Sequence, residues 1–131
     1  MIRLKTIFIA CCLTALVSCA STPDELEALE KTLKLYEHTL RWERLEKAVA
    51  FQKDPEPVTN YKQVKFKNIQ VTGYKVMTAS NSGLYNAVQR VEIRYYNRAT
   101  GIERTISDSQ KWEFDKKKER WYLLSRLPEF K

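Results

Sequence analysis

The chain has 131 residues, of which 44% are hydrophobic, 11% aromatic and 30% charged, and it carries a formal net charge of +7 at pH 7. These values fit one small globular domain and exclude a large multidomain enzyme, a low-complexity chain and an intrinsically disordered one. All three cysteines lie at or before position 19, so no disulfide, thiolate zinc site or cysteine nucleophile is expected in the rest of the chain.

The first 18 residues follow the order of a secretory signal. Arg3 and Lys5 give a basic start, residues 6–17 form an apolar run, and Ser18 is small. A helix needs about 20 apolar residues to cross a bilayer, and this run is shorter. We therefore expect residues 1–18 to be removed as a signal peptide.

The string Leu16-Val17-Ser18-Cys19 ends this segment. It resembles the lipobox of bacterial lipoprotein precursors at every position. The resemblance implies cleavage between Ser18 and Cys19, acyl chains on Cys19, and residues 19–23 as a lipidated start and short tether. Because Ala20 follows instead of aspartate, it also implies delivery to the outer membrane of a Gram-negative bacterium. The alternative is cleavage after Ala20 by ordinary signal peptidase, which would leave no anchor.

Residues 24–53 have the apolar spacing of one amphipathic helix. Apolar side chains recur at intervals of three and four, at Leu26, Leu29, Leu33, Tyr36 and Leu40, and again at Leu45, Ala48 and Val49. Thr22 is the expected N-cap, and Pro55 predicts an end near Lys53. The stripe changes phase between Leu40 and Leu45, which predicts a bend there. A coiled-coil partner helix is the alternative, but packing on a sheet explains the pattern more simply.

From Tyr61 onward apolar and polar residues alternate, which is the period of β-strands. We predict a bent first strand from Tyr61 with breaks near Asn68 and Gly73, and a loop over residues 79–83. Further strands are predicted at 85–95, 102–114 and 120–127, separated by turns at 97–101 and 115–119. Connections this short predict antiparallel neighbours in a meander.

Residues 24–131 are thus expected to form a single α+β domain, with one long N-terminal helix packed on a bent four-stranded antiparallel meander sheet. Its core is predicted around Trp112, Phe114, Trp121 and Leu123. The helix over 26–49 and the closing strands over 110–114 and 120–124 give an order that resembles the nuclear-transport-factor-two-like and cystatin-like superfolds. The resemblance implies a helix lying in a curved sheet. Many members of the first superfold have three such helices, so a single helix departs from the arrangement that forms a deep ligand pocket.

The chain offers no recognisable catalytic or metal-binding motif. His38 is its only histidine and its three glycines lie singly, so a nucleophile with its base, a ligand cluster and a phosphate loop are all missing from the pattern. Asp108 and Asp115 are the best candidates for the inward acid of enzymes with the resembling fold. Turn or bulge chemistry explains both more simply. We therefore expect no catalytic residue, no metal and no other cofactor.

Positive charge is concentrated in the second part of the domain. Residues 24–57 hold nine acids and six bases, whereas residues 58–131 hold seven acids and fifteen bases. Two groups are candidate anion-binding sites: Arg90, Arg94 and Arg98 on one strand face, and Lys116, Lys117 and Lys118 in the last turn. Solvation of an exposed face and of a surface turn is the simpler explanation for each. A secreted protein does not meet nucleic acid, so the expected anions are membrane lipids, lipopolysaccharide and peptidoglycan.

These patterns predict an outer-membrane lipoprotein whose periplasm-facing domain binds another envelope protein without catalysis. The unpaired edges of an open meander are the expected docking feature. One alternative is a small-molecule binder or enzyme with a pocket lined by Tyr74, Tyr95 or Trp112, which requires an open cavity holding an inward carboxylate. Another is direct binding of lipopolysaccharide or peptidoglycan through the arginines.

Overall fold

The computed structural model describes residues 24–131. The signal segment 1–18, the cleavage site at Ser18 and Cys19, the tether 19–23 and the cap Thr22 lie outside the described residues. In chain order the elements are helix α1 (Asp24–Trp42), a 3₁₀ helix (Leu45–Phe51), helix α2 (Asn60–Asn68), and strands β1 (Ile69–Asn81), β2 (Asn86–Asn97), β3 (Ile102–Asp115) and β4 (Arg120–Leu123). The strands form one antiparallel sheet in the order β1-β2-β3-β4, which confirms the α+β class and the four-stranded meander.

Helix α1 packs on the sheet through one apolar stripe. Leu29, Tyr36 and Leu40 are buried along it, and burying side chains of this size contributes about 2 kcal/mol each. The opposite face is solvated and carries ion pairs one turn apart, such as Lys31 with Glu27 at 2.7 Å. Among residues 24–131, no helix is both long and apolar enough to cross a bilayer.

The prediction of one helix through Lys53 is wrong, because α1 ends at Trp42 and the chain resumes as the 3₁₀ helix. Arg44 between them is extended, with φ −73° and ψ 129°. Leu40 and Leu45 are both buried, yet five residues of continuous α-helix would turn the second away from the first by about 140°. A break in the backbone lets both side chains reach the core. The phase change therefore marked the correct position, but the helix ends there and does not merely bend.

The prediction of a strand from Tyr61 is also wrong, since residues 60–68 form α2. Thr59 caps this helix by accepting the backbone N–H of Lys62 at 3.3 Å. Asn68 closes its other end by donating to the carbonyl of Val64 at 3.2 Å. No residue of α2 is buried, so the alternation of apolar and polar residues here did not report a buried strand face. The predicted break near Asn68 is the junction of α2 with β1.

Strand β1 is interrupted twice where it pairs with β2. The register shifts between Val71 and Gly73, as predicted near Gly73, and again between Val76 and Thr78. A side chain at Gly73 would stand 3.3 Å from the Cβ of Arg94, so glycine permits this close pairing. Residues 79–81, predicted as loop, extend β1 instead. The connection to β2 is therefore shorter than expected.

Strand β4 ends at Leu123, earlier than the predicted limit at residue 127. The backbone N–H of Leu124 still donates to the carbonyl of Lys111 at 2.8 Å. The N–H of Lys111 then donates to the side chain of Ser125 at 3.2 Å. Because a hydroxyl takes the place of the next backbone acceptor, the ladder stops there and the chain leaves the sheet.

The core lies between the inner face of the sheet and the two N-terminal helical segments. Tyr36 makes edge contacts with Phe51 and with Trp112, both with ring centroids 5.2 Å apart. Trp121 is buried and its indole N–H donates to the carbonyl of Glu25 at 2.8 Å. The predicted core residues Trp112, Trp121 and Leu123 are confirmed as buried, with Phe114 at the margin.

We expect Trp121→Phe to lower the free energy of unfolding by about 2 to 3 kcal/mol, because it removes the hydrogen bond that holds the start of α1 to β4 and leaves space where the larger indole ring was buried. Urea unfolding of the two proteins measures the difference. Trp42→Phe is the matched control, since Trp42 is 69% exposed, and it should change stability by less than about 0.5 kcal/mol. Equal effects of the two substitutions would contradict the proposed role of the indole bond.

Candidate functional site

A buried polar cluster lies on the inner face of the sheet beneath α1. The cluster joins three strands, with Tyr74 on β1, Gln89 on β2 and Gln110 on β3. Gln89 and Gln110 face each other directly across the sheet. The amide of Gln89 donates to the Gln110 oxygen at 2.8 Å, and the amide of Gln110 donates to Asp108 Oδ2 at 2.8 Å. Tyr74 Oη accepts a hydrogen bond from each amide, at 3.3 Å and 3.0 Å. Trp112 Nε1 adds a further bond to the Gln110 oxygen at 3.2 Å.

Asp108 is the member of this cluster that the sequence analysis misjudged. It lies within β3, paired with Val91, and occupies neither a turn nor a bulge. Its side chain faces inward and the residue is only 7% exposed. Burial raises the pKa of this carboxyl, and the hydrogen bond from Gln110 offsets part of the rise. The sheet therefore carries an inward-facing acid, although no local motif marks it.

Tyr36 brings a second unusual group to the same region. Tyr36 is fully buried, and its hydroxyl has no hydrogen-bond partner among the described residues. Burial, followed by the negative charges of Asp108 and Tyr74, raises the pKa of Tyr36. Burial likewise raises the pKa of Tyr74. Burial therefore disfavours the charged form of all three groups.

The cluster is closed over by α1. Asp108 does not line the cavities of about 480, 400, 340 and 360 Å³ on the described domain. Tyr74, Tyr95 and Trp112 do not line these cavities either. Tyr95 instead lies near the end of the chain, where its hydroxyl accepts the N–H of Lys131 at 2.9 Å. As described, the cluster has the inward carboxylate of a pocket but a core filled by side chains.

The strand arginines do not converge on one site. Arg90 and Arg94 are exposed on the outer face of β2, and Arg94 faces Glu103 at 3.8 Å. Arg98 lies beyond the strand in the following turn. Its guanidinium donates to the Lys67 carbonyl at 3.4 Å and to Gln70 at 3.2 Å. Arg98 therefore ties the turn to α2 and β1, while the anion-binding role of all three remains a prediction.

The lysine turn is built by Asp115. As predicted, this side chain makes a turn, since it accepts the backbone N–H groups of Lys117 and Lys118 at 2.9 Å and 3.0 Å. The N–H of Lys118 is the largest influence lowering the pKa of Asp115. Lys116 lies over the ring of Tyr85 at 4.1 Å. These contacts fix the turn and leave its three lysines exposed.

His38 is exposed, with its ring 3.9 Å from the carboxylate of Glu43. Nothing in this geometry singles it out as a base or ligand. Within residues 24–131, no group of three or more histidine, cysteine, aspartate or glutamate side chains is placed to hold a metal ion.

The two sides of the sheet end differently. Next to β4, Gln52 forms a parallel bridge with Leu123, and the N–H of Lys53 donates to the Leu123 carbonyl at 2.9 Å. No described segment pairs with the free side of β1. Residues 75–81 of β1 are exposed at every position, including Val76 at 48% and Met77 at 45%. β1 therefore offers a long strand edge with unpaired backbone groups.

A second bare edge lies along β3, because β4 covers only its residues 112–115. This edge differs from that of β1 in charge. Glu103 and Arg104 lie on the uncovered part of β3, whereas residues 76–81 of β1 carry no charge. Charged side chains are the usual protection of an edge against strand addition. The unprotected edge of this sheet is that of β1.

Comparison with protein-family models, with curated proteins and with solved structures gives no match for this chain.

We expect Tyr36→Phe and Tyr74→Phe to change stability in opposite directions. Tyr36→Phe removes a buried hydroxyl without a partner and should raise the free energy of unfolding by about 1 kcal/mol. Tyr74→Phe leaves two amide groups short of an acceptor and should lower it by about 2 kcal/mol. Urea unfolding of both variants measures this, and a loss of stability in Tyr36→Phe would show that its hydroxyl has a partner in solution.

Asp108 should make the protein less stable as pH rises. Burial raises the folded pKa of Asp108 above its ordinary value of 3.8, so the contribution of this carboxyl to stability is greatest below that pH and is lost as pH rises through the folded pKa. Asp108→Asn should therefore gain stability relative to the parent chain as pH rises from below the unfolded pKa through the folded one. Unfolding titrations across this range measure the difference.

Asp115→Asn is the control of opposite sign for this titration. The pKa of Asp115 is lowered, so its stabilisation is present above the unfolded pKa and is lost as pH falls through the folded one. This variant should lose stability relative to the parent chain as pH rises. A pH-independent difference for Asp108→Asn would mean that its carboxyl is hydrated in the folded protein.

Proposed function

We propose that this protein is a lipoprotein of a Gram-negative outer membrane, anchored through Cys19, whose periplasm-facing domain binds another envelope protein without catalysis. The observation that carries the binding role is the free edge of β1, with which no described segment pairs and whose residues 76–81 carry no charge. The anchor rests on the residues that resemble a lipobox, Leu16-Val17-Ser18-Cys19.

The anchor is supported by the chemistry of Cys19. A cysteine sulfur forms a stable thioether with a diacylglyceryl group, which serine does not. Each acyl chain contributes about 0.8 kcal/mol per buried CH₂ group, and two or more chains hold a protein at a bilayer stably. Ala20 after the cysteine supports the outer membrane as the destination.

The binding role is supported by what an extended segment gains at β1. Alternate N–H and C=O groups of an edge strand point away from its neighbour, and an added strand pairs with them. Lys75, Arg90 and Arg94 lie on the outer face beside this edge, with Glu92 as the acidic residue among them. We infer that the partner supplies an extended segment with acidic side chains on one face.

The closed polar cluster supports a role without catalysis. The hydrogen-bonding groups of Gln110 are directed to Asp108, Gln89, Tyr74 and Trp112 within the core. Such a network fixes the relative positions of three strands. A catalytic use of Asp108 would require α1 to move away from the sheet.

A second candidate function, a small-molecule-binding domain or enzyme of the nuclear-transport-factor-two-like type, is favoured by the inward position of Asp108 near the buried Tyr36 and the partly buried Tyr74. Hydrogen exchange of backbone amides distinguishes the candidates. Exchange in residues 24–42 that is much faster than in β2 would favour a helix that opens over a pocket. Equally slow exchange in both elements favours the closed binding domain.

We expect Cys19→Ser to abolish both signal cleavage and incorporation of radiolabelled palmitate, because the hydroxyl does not accept the diacylglyceryl group. Cys12→Ser is the matched control, since Cys12 lies within the apolar run of the signal, and it should be labelled and cleaved like the parent chain. Normal processing of Cys19→Ser would eliminate the anchor.

Strand addition at β1 should leave a periodic pattern of cross-links. Thr78 and Ser80 face the same side of the sheet, opposite Arg90 and Val88. A photoreactive residue at each, in intact envelopes, should join sites two residues apart on one partner segment, because that is the repeat of a paired strand. Mass spectrometry of the adducts reads the spacing.

Thr105 and Ser107 are the control positions for this experiment, since they lie on the same outer face along the charged edge of β3. They should give no such adduct. Adducts at these positions instead, or sites without a spacing of two, would contradict binding at β1.

A further inference from the structure

One end of the domain is formed by three segments that are distant in sequence. They are the loop 82–85 between β1 and β2, the lysine turn 116–119, and the first turn of α1. Tyr85 stacks on Phe114 with centroids 5.9 Å apart, and Lys116 lies over Tyr85. Asp24 and Glu25 line the same cavity of about 400 Å³ as Lys116. We call these three segments the hairpin end.

The hairpin end is where the tether joins the domain. Cys19 precedes Asp24 by five residues, which span at most about 18 Å even when fully extended. The Trp121 bond to Glu25 fixes the start of α1 against β4 at this end. The opposite end of the sheet, with the turn 98–101 and α2, lies a full length of β2 away, and 12 residues of strand measure about 40 Å. A lipid on Cys19 therefore holds the hairpin end close to the bilayer.

We propose that the hairpin end rests directly on an anionic lipid surface, with the phosphate groups of the lipids contacting Lys116, Lys117 and Lys118. This inference deepens the proposed function and rests on lipidation of Cys19. All three lysines and Arg120 are exposed, and no described carboxylate forms an ion pair with any of these lysines. Leu84, 39% exposed at the loop, adds an apolar side chain at the same end.

Acidic groups at this end limit which lysines do the binding. Asp24, Glu25 and Glu119 line the cavity beside Lys116, and Asp115 lies under the turn with its oxygen turned to backbone N–H groups. Lys117 and Lys118 follow Lys116 on the exposed turn and do not line that cavity. We therefore assign the principal lipid contacts to Lys117 and Lys118.

This orientation places the bare part of β1 beside the membrane. Residues 76–81 lead directly into the loop of the hairpin end, so an added strand would run next to the lipid surface. The partner inferred above is then a protein that presents an extended segment at the membrane, whereas the cation-rich α2 end points toward the periplasm.

The test uses the mature lipidated chain reconstituted in vesicles of phosphatidylethanolamine with phosphatidylglycerol. Leu84→Cys and Thr100→Cys each place a single fluorescent label, at the hairpin end and at the opposite turn. A nitroxide on the lipid headgroups quenches only nearby labels, so the label at position 84 should be quenched strongly and that at position 100 hardly at all. Comparable quenching at both positions means that the domain lies flat, which overturns the proposal.

Charge reversal tests the lysine contacts. Lys117→Glu with Lys118→Glu should reduce quenching at position 84, since each cation near an anionic surface favours the docked state by about fivefold. Lys65→Glu with Lys67→Glu on α2 makes the same change in net charge and should leave quenching unchanged. Equal effects of the two double variants, or unchanged quenching without phosphatidylglycerol, overturn a specific lysine contact.

Vesicle flotation separates this result from failure of the anchor. If the chain does not float with vesicles and carries no acyl mass on Cys19, the proposed function fails together with this inference. If it floats and carries the lipid but the label at position 84 is not quenched, only the orientation fails.

Discussion

The packing of Tyr36 against Trp112 is the contact on which the rest of the domain depends. This contact packs α1 against β3 at the centre of the sheet, and Phe51 of the 3₁₀ helix contacts the same two rings. Trp121 then holds the start of α1 through the Glu25 carbonyl. Trp112, Trp121 and Tyr36 are the largest fully buried side chains among residues 24–131.

The cluster near Tyr36 places hydrogen-bonded polar groups within the core. A buried carboxyl and an unpartnered hydroxyl each reduce stability, while the two glutamines and Tyr74 recover part of it through mutual hydrogen bonds. Such a network selects one register among β1, β2 and β3, because a shift by one residue would move its members to the outer face. In the described structure the hydrogen bonds of these groups connect three strands of the sheet.

The proposed function combines one feature of the local sequence with one feature of the folded domain. The lipid anchor is a property of four consecutive residues, whereas the bare edge of β1 and the hairpin end exist only in the folded sheet. In the proposed protein their combination has a geometric consequence, because an anchored tether shorter than the sheet would determine which end faces the bilayer. Binding at β1 would then be restricted to partners that reach the membrane surface.

Sequence patterns alone determined the class of fold, the four strands, the bulge at Gly73 and most of the core. They succeeded where one face is buried, as in β2, whose strict alternation reports burial directly. They failed for α2, where no residue is buried and the helix is bounded by the caps at Thr59 and Asn68. They also failed for the break after Trp42, because burial of both Leu40 and Leu45 requires the backbone to leave the helical path. The inward position of Asp108 was decided by tertiary structure alone. A carboxylate in a sequence is expected to be exposed, and only the pairing of β3 with β2 shows that this one lies on the face covered by α1. Which sheet edge stays open was decided in the same way, because it depends on where the chain at Gln52 returns to β4.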